Sequence, residues 1–244
     1  MNDILAALHK RKSMRAYLDK PISDEDKKAI LLAACAAPTA GNQQMYTILD
    51  ITDQRLKDAL AVSCDNQPFI ATAPMVLIFC ADCRKWYDAY IEAGQTPRAP
   101  GVGDMVLAVT DTCIAAQNAV TAAESLGLGS CYIGDILEQY ETHRQMLNLP
   151  EYVVPCAMLV FGYPTRQQME REKPARCDLE HIVHENAYRT MDGAELREMF
   201  APRAVNGFDA YMAAFCKRKY DSDFSREMTR SVAKYLSQFD HESF

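Results

Sequence analysis

The sequence predicts an α+β fold, and three observations carry that expectation. Short apolar runs at residues 46–51, 75–81, 130–133 and 153–162 read as strands. Helical patterns separate them irregularly, without the strict strand–helix alternation of a parallel doubly wound sheet. One helical pattern, residues 104–126, is long and carries alanine at 108, 115, 116, 119, 122 and 123. Small side chains at that spacing let neighbouring backbone come close, so this is the expected buried central helix.

The elements follow in order. Asn2 caps a first helix whose apolar stripe is Ile4, Leu5 and Leu8. A basic cluster follows, Lys10-Arg11-Lys12-Ser13-Met14-Arg15. Ser23 caps the next helix, with acids in its first turn that suit the helix dipole, and Pro38 stops it after about residue 36. The small, polar loop 38–44 leads into the first strand. A short helix is expected near 54–62, a buried strand at 75–81, and a helix over 82–94. The loop 95–103 holds two prolines and two glycines. Gly127 and Gly129 end the central helix. The strand 130–133, a helix over about 137–147 and the strand 153–162 complete the core. Residues 165–180 are polar and read as an extended arm, and two helical patterns, about 207–219 and 224–239, follow. An arm of this kind needs a surface to lie against, and a partner subunit is a natural one.

Composition excludes several classes. Of 244 residues, 49% are apolar and 24% charged, which is globular rather than disordered. The net charge of −7 disfavours nucleic acid or an anionic membrane as partner. The longest near-apolar run, residues 73–81, falls far short of the ~20 residues of a membrane span. The N-terminus is charged at Asp3 and again over 9–12, unlike a signal peptide. Nine cysteines cannot all pair within one chain, and most sit in apolar runs, which points to reduced packing residues and a cytoplasmic location. Cys80 and Cys83 have metal-like spacing but no second pair, so they read as structural or redox rather than as a zinc site.

Few motifs carry chemistry. Gly101-Val102-Gly103 lacks the third glycine and the preceding strand of a dinucleotide fingerprint. The five histidines form no ligand set, and no metal is expected. The basic cluster is more informative. Arg11, Lys12, Ser13 and Arg15 suit a phosphate, because guanidinium groups grip its oxygens in a fork; cations placed on a helix C-terminus are the alternative.

These residues also carry a resemblance. Arg11-Lys12-Ser13-Met14-Arg15 resembles the R-x-S-x-R opening of the FMN-dependent nitroreductases. The Pro21-Ile22-Ser23 step, the loop Ala37-Pro38-Thr39-Ala40-Gly41-Asn42, the junction from Ala123 to Gly134 and Phe161-Gly162-Tyr163-Pro164 resemble that family's next landmarks, in order. Val183-His184-Glu185-Asn186-Ala187-Tyr188 is similar to the oxygen-insensitive, NADPH-preferring branch that includes the flavin reductases. The resemblance covers residues 1–190 well and the rest loosely.

The resemblance implies a nitroreductase-like fold, a central, mostly antiparallel sheet flanked by helices, in an intertwined homodimer. It implies an FMN-binding core over 1–164 and, over 165–244, an arm and helical tail that pack on the partner subunit. Arg11, Lys12, Ser13 and Arg15 would grip FMN. Pro38, Thr39 and Asn42 would line it from the second subunit. Gln67 would touch the isoalloxazine edge, and Tyr132, Ile133 and Gly134 would offer backbone contacts. Lys173 and Arg176 would complete the phosphate site, although the usual K-P-R is one residue longer here. Met45-Tyr46 stands where many members have Pro-Trp, a departure that bears on substrate preference. Lys217, Arg218 and Lys219 would hold the 2′-phosphate of NADPH. No protein nucleophile is expected, since flavin N5 carries the chemistry. The implied activity passes two electrons from NADPH or NADH to nitroaromatics or quinones by a ping-pong scheme. The alternatives are a flavin reductase that supplies reduced FMN and a flavin-binding protein without turnover.

Overall fold

The computed structural model describes residues 2–241 and divides into two units, Met1–Arg171 with Glu227–Phe244, and Glu172–Arg226. In the first unit, Asn2 caps α1 (Asp3–Lys10) by accepting the Leu5 N–H at 3.0 Å. Ser23 does the same for α2 (Asp24–Cys35) through the Asp26 N–H. Strand β1 (Tyr46–Asp50), α3 (Gln54–Ser63) and the short α4 (Pro68–Thr72) follow. Then come β2 (Met75–Asp82), α5 (Arg84–Glu92) and α6 (Val102–Ser125). Strand β3 (Gly129–Ile133), α7 (Tyr140–Met146) and β4 (Val153–Gly162) complete the sheet, and α8 (Arg166–Glu170) leaves it.

The sheet order is β1-β2-β4-β3, antiparallel throughout. Every position of β2 is buried, as a central strand covered on both faces requires. Side-chain alternation assigns the two faces. Val76, Ile78 and Cys80 of β2 join Cys131, Ile133, Met158 and Val160 beneath α3 and α4. Met75, Leu77 and Phe79 join Leu159 and Phe161 against α2 and α6. The alanines at 108, 115, 116, 119 and 123 are buried, so α6 is the expected central helix. By length and composition α6 is also apolar enough to cross a membrane. A search for uninterrupted apolar runs misses it because Asp104 and Asp111 break the pattern; its inner face packs on the sheet.

Segment 13–17 extends the β3 edge. Ser13 bridges Ser130 in parallel and the Met14 N–H bonds the Ser130 carbonyl at 2.9 Å. Tyr17 bridges Pro164, and the Leu18 N–H bonds the Tyr163 carbonyl. Two glycines make this approach possible. A Cβ on Gly129 would lie 2.6 Å from Met14 Cγ, and one on Gly162 would lie 2.7 Å from the Tyr17 ring.

The second unit holds α9 (Gly193–Phe200) and α10 (Phe208–Lys219). The last helix, α11 (Asp223–Leu236), begins in it, and from Glu227 onward belongs to the first unit. There Tyr235 and Phe239, in the stretch expected to serve as tail, are buried in the chain's own core beside Met45, Cys83 and Ala108.

Candidate functional site

The basic cluster lies where α1 ends and the chain turns onto the β3 edge. Arg11 is the C-cap residue, half-buried, with its guanidinium 5.8 Å from the centre of the Tyr132 ring. Its Nε and one Nη are buried and have no hydrogen-bond partner, and the hydroxyls of Ser130 and Thr165 share that condition. Buried donors without acceptors are costly, so this edge is built for an acceptor supplied from outside the chain. Lys12 is buried and donates to the Met169 carbonyl at 2.7 Å and to that of Arg171. Arg15 is exposed, and its N–H bonds Gln168 Oε1 at 3.1 Å. Burial pushes the Tyr132 phenol up to about 12, against the pull of Arg11, so it stays neutral at physiological pH.

Gln67 belongs to the same side. It closes the turn after α3, where Asp65 and Asn66 are left-handed, and donates to the Cys64 carbonyl at 2.8 Å. The turn is fixed to the stretch after β3. The buried His143 contacts Ser63 Oγ at 2.8 Å and the Ile136 carbonyl at 3.0 Å, and Gln139 donates to the Ser63 carbonyl. Burial lowers the His143 pKa, which keeps the imidazole neutral, so Nδ1–H donates to Ile136 and Nε2 accepts from Ser63. Ile133, buried, and Gly134, exposed, lead into that stretch.

Pro38, Thr39 and Asn42 lie elsewhere. Their loop enters β1, at the opposite edge of the sheet from β3. Three strand spacings, about 14 Å, separate the two edges. The buried carboxylate of Asp111 on α6 holds the loop, accepting from the Thr39 hydroxyl and from the Ala40 N–H at 3.0 Å. Thr39 Oγ1 in turn accepts the Gln44 N–H at 2.8 Å. Gly41 and Asn42 are both left-handed, and Asn42 is exposed. The basic cluster and this loop therefore lie at opposite edges of one sheet.

Lys173, Arg176, Lys217, Arg218 and Lys219 fall in the second unit. Arg218 lies over the Phe215 ring and Lys219 over Phe224. In the same unit Asp178, Glu180 and His181 bring one potential ligand atom each within 4.8 Å of one another. Cys80 and Cys83 are buried, and burial raises both thiols, Cys83 to about 12, so neither is a thiolate at neutral pH.

Sequence reasoning missed two residues. Asp111 interrupts the buried alanine face of α6, a signal that periodicity alone could have flagged. Arg171 donates to the Ser13 carbonyl at 2.6 Å across 158 residues, a contact no local pattern announces.

The structure is thus an antiparallel α+β sheet whose β3 edge carries a half-buried guanidinium with two nitrogens unpartnered. Comparison with known proteins gives the family: the chain belongs to the nitroreductase family, whose model matches residues 8–163. It is 29% identical to a Bacillus subtilis protein named FMN reductase [NAD(P)H], over 98% of this chain and 92% of that one. It is 33% identical to the oxygen-insensitive NADPH nitroreductase of Salmonella typhimurium, over 79% of this chain and 77% of the relative. Among solved structures, a putative oxidoreductase from Bacteroides fragilis matches with a TM-score of 0.86 at 26% identity, covering 96% of this chain and 98% of that one. The NADPH:FMN oxidoreductase of Vibrio harveyi complexed with NAD+ matches at 0.78 and 25%, covering 98% of each chain.

Proposed function

We propose that this chain is an FMN-dependent oxidoreductase that passes two electrons from NADPH or NADH to a nitroaromatic or a quinone. The observation that carries the reading is the Arg11 guanidinium, buried with two nitrogens unpartnered on the β3 edge. The residues fit the flavin's chemistry: Arg11 and Arg15 supply positive charge, and Ser13, Ser130 and Thr165 supply hydroxyls. Tyr132, Ile133 and Gly134 offer backbone groups, and Gln67 an amide. Lys12 acts by pinning the chain at 169–171, and Arg171 by pinning Ser13. Lys173 and Arg176 are candidates for the phosphate. When bound, the flavin supplies a two-electron carrier that a reduced nicotinamide loads and an oxidant unloads. Arg15 would place positive charge beside the bound flavin.

The separation of the basic cluster from the 38–42 loop supports a homodimer, with Pro38, Thr39 and Asn42 of one chain completing the Arg11 site of the other and the arm after β4 lying on the partner. Lys217, Arg218 and Lys219 are the cations proposed for the NADPH 2′-phosphate. The nine unpaired cysteines favour a reducing, cytoplasmic setting.

The test is anaerobic addition of NADPH, then NADH, to the purified yellow protein. Bleaching, followed by recolouring with a nitroaromatic or a quinone, is the expected result. Absence of bleaching with either nicotinamide would leave a flavin-binding protein without turnover. A flavin reductase is the second reading, favoured by the full-length match to an FMN reductase; turnover with free FMN as sole acceptor separates it.

A further inference from the structure

Lys57 on α3 is a charged residue held inside the fold. Only 8% of it is exposed, and its ammonium donates to the Ala73 carbonyl at 3.1 Å. An ammonium carries three protons, and among the described residues Lys57 has no second acceptor and no ion pair. The carboxylates around α3 are engaged elsewhere. Asp50 pairs with Lys27, Asp53 caps α3 by accepting the Arg55 N–H at 2.9 Å, and Asp58 takes the Gln54 amide at 2.8 Å. A buried charge without a counter-charge is costly. Burial accordingly holds the Lys57 pKa below that of a free lysine; Asp50 pulls it up and Lys27 pushes it further down.

Lys57 lines a cavity of about 650 Å3 between the segment 17–22, α3 and the stretch 71–74 that joins α4 to β2. Two bonds fix its walls. The Leu18 N–H bonds the Tyr163 carbonyl at 2.8 Å on one side, and the Gln54 amide bonds the Ala71 carbonyl at 3.0 Å on the other. Leu18, Pro21, Ile22, Ala71 and Pro74 give the lining apolar surface. Asp19 and Lys20, both exposed, oppose each other in charge, and the Lys20 ammonium lies 3.7 Å from the centre of the Tyr163 ring. Lys57 therefore leaves the lining with one net positive charge.

We propose that this cavity binds an organic monocarboxylate, its carboxylate on the Lys57 ammonium and its apolar body against the segment 17–22. A pocket of this volume, apolar apart from a few placed polar groups, is that of a small-molecule site. The carboxylate supplies the acceptors and the counter-charge that Lys57 lacks. One net charge matches a single carboxylate rather than the phosphates of a nucleotide. None of the residues proposed to hold the flavin lines this cavity, so the inference goes beyond the reductase reading.

The experiment titrates hexanoate, and hexan-1-ol as its uncharged counterpart, into the flavin-loaded protein and follows each by ligand-observed NMR. Hexanoate should bind saturably, and Lys57→Met, which keeps the length of the stem, should weaken it about ten-fold or more. Hexan-1-ol should bind wild type weakly and be indifferent to Lys57→Met. Flavin content and absorbance should change neither in the variant nor on adding hexanoate. Absence of saturable binding overturns the proposal, and so does equal affinity for hexanoate and hexan-1-ol on the wild type, a comparison that needs no variant. Hexanoate binding that shifts the flavin absorbance and survives Lys57→Met overturns it too, since the acid then sits at the flavin. Failure of either nicotinamide to bleach the flavin would count against the reductase reading alone.

Discussion

Arg11 is the residue on which the binding reading stands. Arg11→Ala should yield a colourless protein of normal thermal stability, because the removed nitrogens have no partner within the chain; flavin absorbance per chain and a melting curve check this. Gly129 makes a different demand. Its Cβ would overlap the Met14 side chain, so Gly129→Ala should cost about 1–3 kcal/mol by overpacking and push the Ser13 segment off β3. Gly103→Ala, on α6 with nothing within 4 Å, is the contrasting control and should stabilise by about 0.5–1 kcal/mol. Calorimetry together with flavin content separates the two. At this scale the sequence was legible where a residue's role is local. The R-x-S-x-R spacing is readable, and so are the Asn2 and Ser23 caps. Arg171 was not, since it acts on Ser13 158 positions away, and Asp111, although its break in the alanine face is readable, gives no local sign that its partners are Thr39 and Ala40.

Elements divide the same way. The four strands and the long helices follow from runs and periods, whereas α4, α8 and α9 did not emerge. Two of these, α4 and α8, are five residues long, too short to show a helical stripe. The third, α9, carries a readable D-x-x-E capping box in Asp192 and Glu195 that composition obscured. Two elements carry tests. Asp111 on α6 holds the loop before β1, so Asp111→Ala leaves the Thr39 hydroxyl and the Ala40 N–H without their acceptor. A loss of about 1–3 kcal/mol in denaturant unfolding is expected. Glu138, buried just before α7, has its carboxyl pushed up to about 7 by burial, with Asp135, Asp65 and Glu227 adding repulsion. An acid whose pKa is raised on folding costs stability as pH rises from its unfolded value, near 4.5, through 7. Glu138→Gln should therefore raise the melting temperature at pH 8 and leave it nearly unchanged at pH 4.

At the scale of the molecule, the Arg11 cluster and the 38–42 loop lie at opposite edges of the sheet, and α6 exposes apolar side chains. Val106 and Leu107 are 53% and 51% exposed there. If that face joins two copies, Val106→Arg should halve the mass seen by light scattering and release the flavin together. A variant that stays dimeric and yellow would place the interface elsewhere. The sequence suggested a partner from the family resemblance, with the arm as a hint; that the basic cluster and the 38–42 loop fall at opposite sheet edges depends on strand order, which no local pattern encodes.

The Lys12 clip has a consequence in time as well as in space. Its ammonium bonds carbonyls 157 and 159 positions further along, and Tyr17 bridges Pro164. The Lys12 contacts thus close loops of 157 and 159 residues, and loops of that size are slow to form. On a ribosome the Lys12 ammonium must wait for β4 and α8 before those carbonyls exist for it to grip. Cofactor loading is then a late event, and a chain halted before residue 171 should leave the ribosome folded in part and colourless.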